Sequence, residues 1–488
     1  MKAFVARWKI PIIVGAIALV ALVGITLQYG YLVTGPKTVI VTRTATGFVP
    51  NTLTLRKGDS ITFVSTTGKE FWPASNFHPS HGLYPEFDPK RQLEPSERWT
   101  FTFTKVGTWG FHDHLESGIK GTIRVEGSPF DIGGECSGKA DIDTATVSAP
   151  CWQSKITTLM QKKGYVAAFD YLNTLHATNA SFRNSCHDTM HFVGAMAYQQ
   201  FQSTHTLIAR PETTYCGYGF YHGFIEAMQI ASGPGNFDEV RTYCESVRGA
   251  MGEAASGPCF HGLGHALFDS VSGTLWGDPK AMMADGLASC EKALANTTVD
   301  DRARCASGVY NSYANAATNQ NYNLTRDIIN PTQYCNTQRP EYRMECYAQI
   351  GISYIRYKRF NREQTITYLR SLDTEASLRG FFDYFADEAK RNINGFDVNL
   401  FSKVCMAFTP TEQFACVRGV VEGLLEQSPS DSAYVVQFNF CSVLPDSDLR
   451  KRCYSQAIET TLSSVRTSAP FRTACNALPE INHAGLCM

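Results

Sequence analysis

Residues Phe71 to Asp88 read FWPASNFHPSHGLYPEFD, and Gly107 to Val125 read GTWGFHDHLESGIKGTIRV. Four of the chain's 12 histidines stand in these two stretches, as His78-x2-His81 and His112-x-His114. On an extended segment, residues two apart point to one face, so His112 and His114 lie side by side. His78 and His81 sit on a proline-containing loop, which can fold two imidazoles toward one point. The flanking sequence is strand-like. Thr38 to Thr44 is rich in Val, Ile and Thr. Leu53/Leu55 and Ile61/Phe63 alternate on either side of the turn Lys57-Gly58-Asp59, and Trp99, Phe101 and Phe103 alternate with threonines. Short alternating strands punctuated by Gly and Pro predict a β-sandwich.

The P-x-T-L-x-L-x-x-G-D hairpin at Pro50 to Asp59 and the ending G-x-W-x-F-x-D…G-I-x-G-T-I-x-V resemble the cupredoxin family. The family includes plastocyanin, azurin and the domains of multicopper oxidases, and the likeness covers about ninety residues. It implies a copper site, with departures. A blue site uses two His, one Cys and usually a Met. On the shared ending, Asp113 falls at the Cys position, Glu116 at the second His and Ile119 at the Met. Phe71 takes the first His position. No cysteine precedes Cys136, so a thiolate-bound blue centre is excluded. The His-x-His around Asp113 resembles the corresponding segment of multicopper oxidases. Imidazoles suit Cu(II), then Zn(II). The expected ligands are His78, His81, His112 and His114, with Asp113 or Glu116 orienting one of them. The alternative is that they are surface loop histidines. Tyr84 and Trp109 are expected in the core.

Sixteen cysteines, all from Cys136 onward, point to an oxidising compartment. Ile10 to Leu27 is an uncharged, almost wholly apolar run preceded by Lys2, Arg7 and Lys9. At 1.5 Å per residue it spans roughly 27 Å, close to a bilayer core. The reading is a single-pass anchor in the cell membrane with the bulk of the chain extracytoplasmic, periplasmic or extracellular. A cleaved signal peptide is the rival. The net charge of -1 gives no nucleic-acid footprint.

Beyond the linker-like GSPFDIGG (Gly127 to Gly134), apolar spacing changes to three and four, as in VVEGLLEQ. Cysteines then recur in close pairs: Cys244/Cys259, Cys290/Cys305, Cys335/Cys346, Cys405/Cys416, Cys441/Cys453 and Cys475/Cys487. SLRG at Ser377 to Gly380 matches CVRG at Cys416 to Gly419, a unit without its pair. The pattern predicts an α-solenoid of helical hairpins, weakly similar to Sel1 or tetratricopeptide repeats. Cys136/Cys151 and Cys186/Cys216 complete the pairing. The expected organisation is a multidomain α and β chain. A cytoplasmic basic end and transmembrane helix occupy 1–36 and a cupredoxin-like copper-binding domain 37–127. A linker covers 128–134, and a disulfide-clasped all-α repeat domain covers 135–488.

Three helical stretches place side chains at i, i+4: His187/His191, His222/Glu226 and His261/His265. That spacing puts each pair on one side of its helix, able to grip an ion. The pairs recur at about the repeat period, so stacking should bring them onto one wall. Five histidines and a carboxylate could hold a second metal, iron, copper or zinc. The alternative is core histidines between closely packed helices. Asp188 breaks the H-E-x-x-H protease pattern, and no CxxCH haem motif occurs. His176, His205 and His483 read as surface residues.

The leading expectation is a membrane-anchored, redox-related copper protein, a copper-dependent oxidoreductase if it turns over. Copper capture and delivery without turnover is the alternative. A solenoid scaffold for a protein partner is the third reading.

Overall fold

The computed structural model describes residues 35–76, 81, 84, 86–105, 107–126, 145–232, 237–427, 433–464, 469–478 and 487. The apolar run Ile10 to Leu27, His78, His483 and the linker 128–134 lie outside them. So does the side-chain pairing expected of Cys136 and Cys151. Among the described residues, no helix is long and apolar enough to cross a membrane.

Strands β1 (Thr38–Thr44), β2 (Gly47–Val49), β3 (Thr52–Arg56), β4 (Ser60–Ser65), β5 (Pro73–Ser75), β6 (Trp99–Thr102), β7 (Gly107–Asp113) and β8 (Glu116–Glu126) form two four-stranded sheets. One has the order β2-β1-β4-β6 and the other β3-β8-β7-β5. Pairs β1/β4 and β3/β8 are parallel, so the sheets are mixed. Of the residues that alternation marked, Leu55, Ile61, Phe63 and Phe103 are in the core, while Leu53, Trp99 and Phe101 are half-buried against it; Val41, Trp109, Phe111, Ile123 and Val125 complete the core. Tyr84 and Trp109 are core as expected, with ring centroids 4.8 Å apart. Phe71 is fully buried and bridges Leu93.

The remaining described residues are helical. Helices α1 (Ala145–Thr178) and α2 (Ala180–Thr204) open the unit. From α2 onward an inner row stacks helix on helix: α3 (Gly219–Ser232), α5 (Glu253–Asp269), α7 (Val299–Asn319), α9 (Pro340–Lys358), α11 (Thr374–Arg391), α13 (Pro410–Gln427) and α15 (Ser447–Ser464). An outer row covers it: α4 (Phe237–Met251), α6 (Pro279–Ala293), α8 (Pro331–Cys335), α10 (Arg362–Arg370), α12 (Val398–Met406) and α14 (Ala433–Ser442). In α4 the buried residues are Val240, Tyr243, Cys244 and Val247, an i, i+3, i+4, i+7 stripe.

All six short cysteine pairs are bonded as the spacing predicts, and Cys186–Cys216 is bonded as well. Five of the short clasps tie an outer helix to the inner helix that follows it. In the loop-entropy account each contributes about 3 kcal/mol by restricting the unfolded chain. The unit without a clasp is still a hairpin: Ser377 is buried in α11, and Leu369 of α10 packs against Gly380.

Two glycine pairs set the spacing of the inner row. A Cβ on Gly223 of α3 would stand 1.9 Å from the His191 carbonyl oxygen of α2. One on Gly194 of α2 would stand 2.0 Å from the Phe220 carbonyl oxygen. Helices α5 and α7 meet in the same way through Gly264 and Gly308, the latter against the His261 carbonyl. These approaches are possible only without side chains, and each occurs beside a histidine.

Candidate metal centres

In the β-sandwich, ligand nitrogens of His81, His112 and His114 lie within 4.8 Å of one another. All three residues are buried. Strand β7 supplies His112 and His114, and its register against β8 shifts between His112 and Asp113. Such a bulge re-aims side chains at the end of a strand. His81 Nε2 is 2.9 Å from His114 Nδ1. Two nitrogens about 2 Å from a shared ion at 90–110° stand roughly 3 Å apart, so this spacing fits a common metal.

The groups that orient these rings differ from those expected. Asp113 does not touch a histidine. Its Oδ2 accepts from Arg43 Nε at 2.6 Å, and its Oδ1 accepts from the backbone N–H of Trp72 and of Leu115. Side chains alternate along β7, so Asp113 points away from the face that His112 and His114 share. Glu116 also goes to Arg43, at 3.0 Å. The orienting group is Asp88. Its Oδ2 is 2.5 Å from His81 Nδ1, and its Oδ1 accepts from Trp72 Nε1 at 2.8 Å. Burial opposes charge on Asp88, yet His81 and Lys90 hold its carboxyl well below the usual range. The bond occupies Nδ1 and leaves Nε2 of His81 for an ion. Asn76 Oδ1 does the same for His112 Nδ1, at 3.1 Å. Both residues were visible in the quoted stretch, but no spacing rule marks an orienting side chain. Replacing Asp88 with Asn should lower copper affinity by about 10- to 100-fold, the usual loss for such partners. A copper-competition titration measures it, and an unchanged affinity would remove Asp88 from this role.

The helical unit completes the wall around His114. Its ring lies 4.4 Å from Trp72, 5.1 Å from Tyr322 and 5.4 Å from Trp276. Trp276 follows the turn Gly273–Leu275 after α5, and Tyr322 follows α7. Neither carries a motif, so sequence reasoning missed both. Phe192 of α2, next to His191, packs on the sandwich core.

A second cluster lies along the inner row. His187, His191 and His222 form one triad, and His222, His261 and His265 form another. His191 Nε2 is 3.1 Å from both His187 Nε2 and His222 Nδ1. His265 Nε2 is 3.1 Å from His261 Nε2. The outer nitrogens are engaged elsewhere. His187 Nδ1 donates to the Cys216 carbonyl at 2.8 Å, while Ser307 and Ser312 of α7 hold Nδ1 of His261 and His265. Burial pushes His191, His222 and His265 well below the ordinary imidazole value, and the neighbouring rings add to it. Burial, then Arg304, takes His261 down to about 3. Neutral imidazoles are the metal-binding form.

Glu226 does not join these histidines. It lies one turn beyond His222 on α3 and lines the cavity facing the sandwich instead. Asp269 stands in the same relation to His265. Both line a cavity of about 980 Å³ between sandwich and helices, with Glu70, Glu116, His114 and Trp276. Burial and the nearby Glu226 charge push the Asp269 carboxyl well above its usual range, and Tyr322 donates to it at 3.4 Å.

Of the histidines read as surface residues, His205 is exposed at the end of α2. His176 is instead buried, stacked 4.7 Å from Tyr215, and burial takes it down to about 4. Its isolation in sequence said nothing about the ring that covers it.

The β region has weak structural neighbours among the cupredoxins. A reduced amicyanin mutant is 19% identical over 18% of this chain and 82% of its own, with a TM-score of 0.17. A mutant fern plastocyanin is 16% identical over 18% of this chain and 99% of its own, with a TM-score of 0.15. No protein-family model matches the chain, and no curated protein matches it. The likeness concerns the β region alone.

Proposed function

We propose that the chain is a membrane-anchored, extracytoplasmic copper oxidoreductase. His81, His112 and His114 hold its copper, and the reaction takes place in the cavity beside His114. The observation that carries this reading is the cavity itself. It opens between the two units, with His114 on one wall and Glu226 and Asp269 on the other. An enzyme needs a pocket next to its metal, and a copper store does not. Copper bound there supplies one-electron chemistry. The chain's own residues shape what reaches it. Four carboxyl groups line the cavity and no lysine or arginine is among its described lining residues, which favours a small neutral or cationic substrate over an anion. Asp269, raised by burial, is placed to donate a proton. The anchor rests on Ile10 to Leu27 and its basic flank, and the outward location on the disulfides.

Copper-loaded protein should show nitrogen-ligated Cu(II) by magnetic resonance and no intense blue thiolate absorption. His112→Ala with His114→Ala should abolish tight binding at this site. Turnover is tested by supplying a reductant and following oxygen or a small oxide, with Ser270→Trp as the control. Ser270 lines the cavity and is exposed, so that variant should keep its copper and lose activity. The covering of His114 by Trp72, Tyr322 and Trp276 favours the second reading, capture and delivery without turnover. Full copper occupancy with no reductant consumption would establish that reading instead.

A further inference from the structure

The inner row carries an arrangement that one ion does not explain. His222 belongs to both histidine triads. Its Nδ1 faces His191 Nε2 at 3.1 Å. Its Nε2 is buried and has no hydrogen-bond partner among the described residues. An imidazole nitrogen buried with nothing to bond is costly, and a metal ion is one way to satisfy it. The His222 ring stacks on His265 at 4.2 Å and lies 5.3 Å from His261, the two other members of the second triad.

We infer that the helical unit binds two metal ions, with His222 as a bridging ligand between them. The first ion takes Nε2 of His187, Nε2 of His191 and Nδ1 of His222. The second takes Nε2 of His261, Nε2 of His265 and Nε2 of His222. The nitrogens on the far side of His187, His261 and His265 are already held by Cys216, Ser307 and Ser312, which leaves each Nε2 for metal. Binding through both nitrogens removes one proton from His222, which passes to solvent. With metal–nitrogen bonds of about 2 Å, a bridging imidazole sets the ions roughly 6 Å apart. Each ion has three protein ligands, the count that leaves a position open in catalytic sites. The donor set is nitrogen only, which suits copper or zinc over calcium or magnesium. Gly194 and Gly223 bring α2 to α3, and Gly262 of α5, whose Cβ would stand 3.0 Å from the Tyr221 carbonyl oxygen, brings α5 to α3, so the three helices lie close enough for one ring to reach both sides.

This inference rests on the reading of the chain as a metal protein but not on the sandwich copper site. The test uses the full chain loaded with Cu(II), with total copper and unpaired spins counted on the same sample. A bridged pair couples its spins, so the helical coppers should be present by elemental analysis and nearly silent at low temperature. His187→Ala with His191→Ala should remove one copper and restore the full signal of the other. His187 is exposed and His191 half-buried, and the variant's disulfide map and helical signal show whether it folds. His112→Ala with His114→Ala reports the sandwich site separately: it should remove one uncoupled copper and leave the coupled pair intact. A single helical copper per chain, or two with full spin intensity, would overturn the bridge. If the sandwich variant loses nothing, the copper site there is wrong while the bridge stands or falls on its own count.

Discussion

Asp113→Ala should destabilise the β-sandwich by about 3 to 5 kcal/mol, the usual cost of removing one partner from a buried ion pair. Arg43 is buried and faces Asp113, and without it the guanidinium would stay in the core with only the half-exposed Glu116 and the Thr44 carbonyl as partners. Burial lifts the Asp113 carboxyl above its usual range despite the guanidinium and two backbone donors. Its contribution is geometric: the same carboxylate holds the backbone of Trp72 and Leu115 on either side of the metal face. Copper affinity should therefore fall together with stability, whereas Asp88→Asn should lower affinity and leave folding largely intact. Denaturant unfolding followed by tryptophan fluorescence, beside a copper titration, separates the two. A loss of less than 1 kcal/mol would mean that Arg43 finds another partner.

The second large effect is expected at Gly223→Ala. The new Cβ would meet the His191 carbonyl at 1.9 Å, a backbone atom that cannot rotate aside. Helices α2 and α3 would have to separate, and overpacking of that kind costs about 1 to 3 kcal/mol or more. The separation also draws His222 away from His191, whose nitrogens are 3.1 Å apart. Metal in the helical unit should fall steeply while the sandwich copper is retained. Gly249, which has open space around it, is the matched control: Gly249→Ala should change neither. Equal metal content in both variants would show that the helical histidines do not depend on this contact.

The disulfides, the hairpin repeat and the change from strands to helices could be read from the chain. Each is a local rule. Cysteines 11 to 15 residues apart can close only on one hairpin, and alternation at two or at three and four declares strand or helix. The histidine sets were legible for the same reason, since i, i+2 on a strand and i, i+4 on a helix fix a shared face. Glu226 shows the limit of that rule. It shares a face with His222 along the helix, but it lines the cavity toward the sandwich and not the histidine cluster. Which carboxylate holds His81, what covers His114 and where Asp269 points depend on contacts across gaps the sequence does not encode. Asp113, expected to orient a ligand, became half of a buried ion pair, and it is Asp88 that hydrogen-bonds His81. Trp276 and Tyr322 reach His114 from more than 150 residues away. Periodicity set the faces of the elements. Only the packing of sandwich against solenoid, driven by burial of Phe192 and the aromatic wall, decided which faces meet.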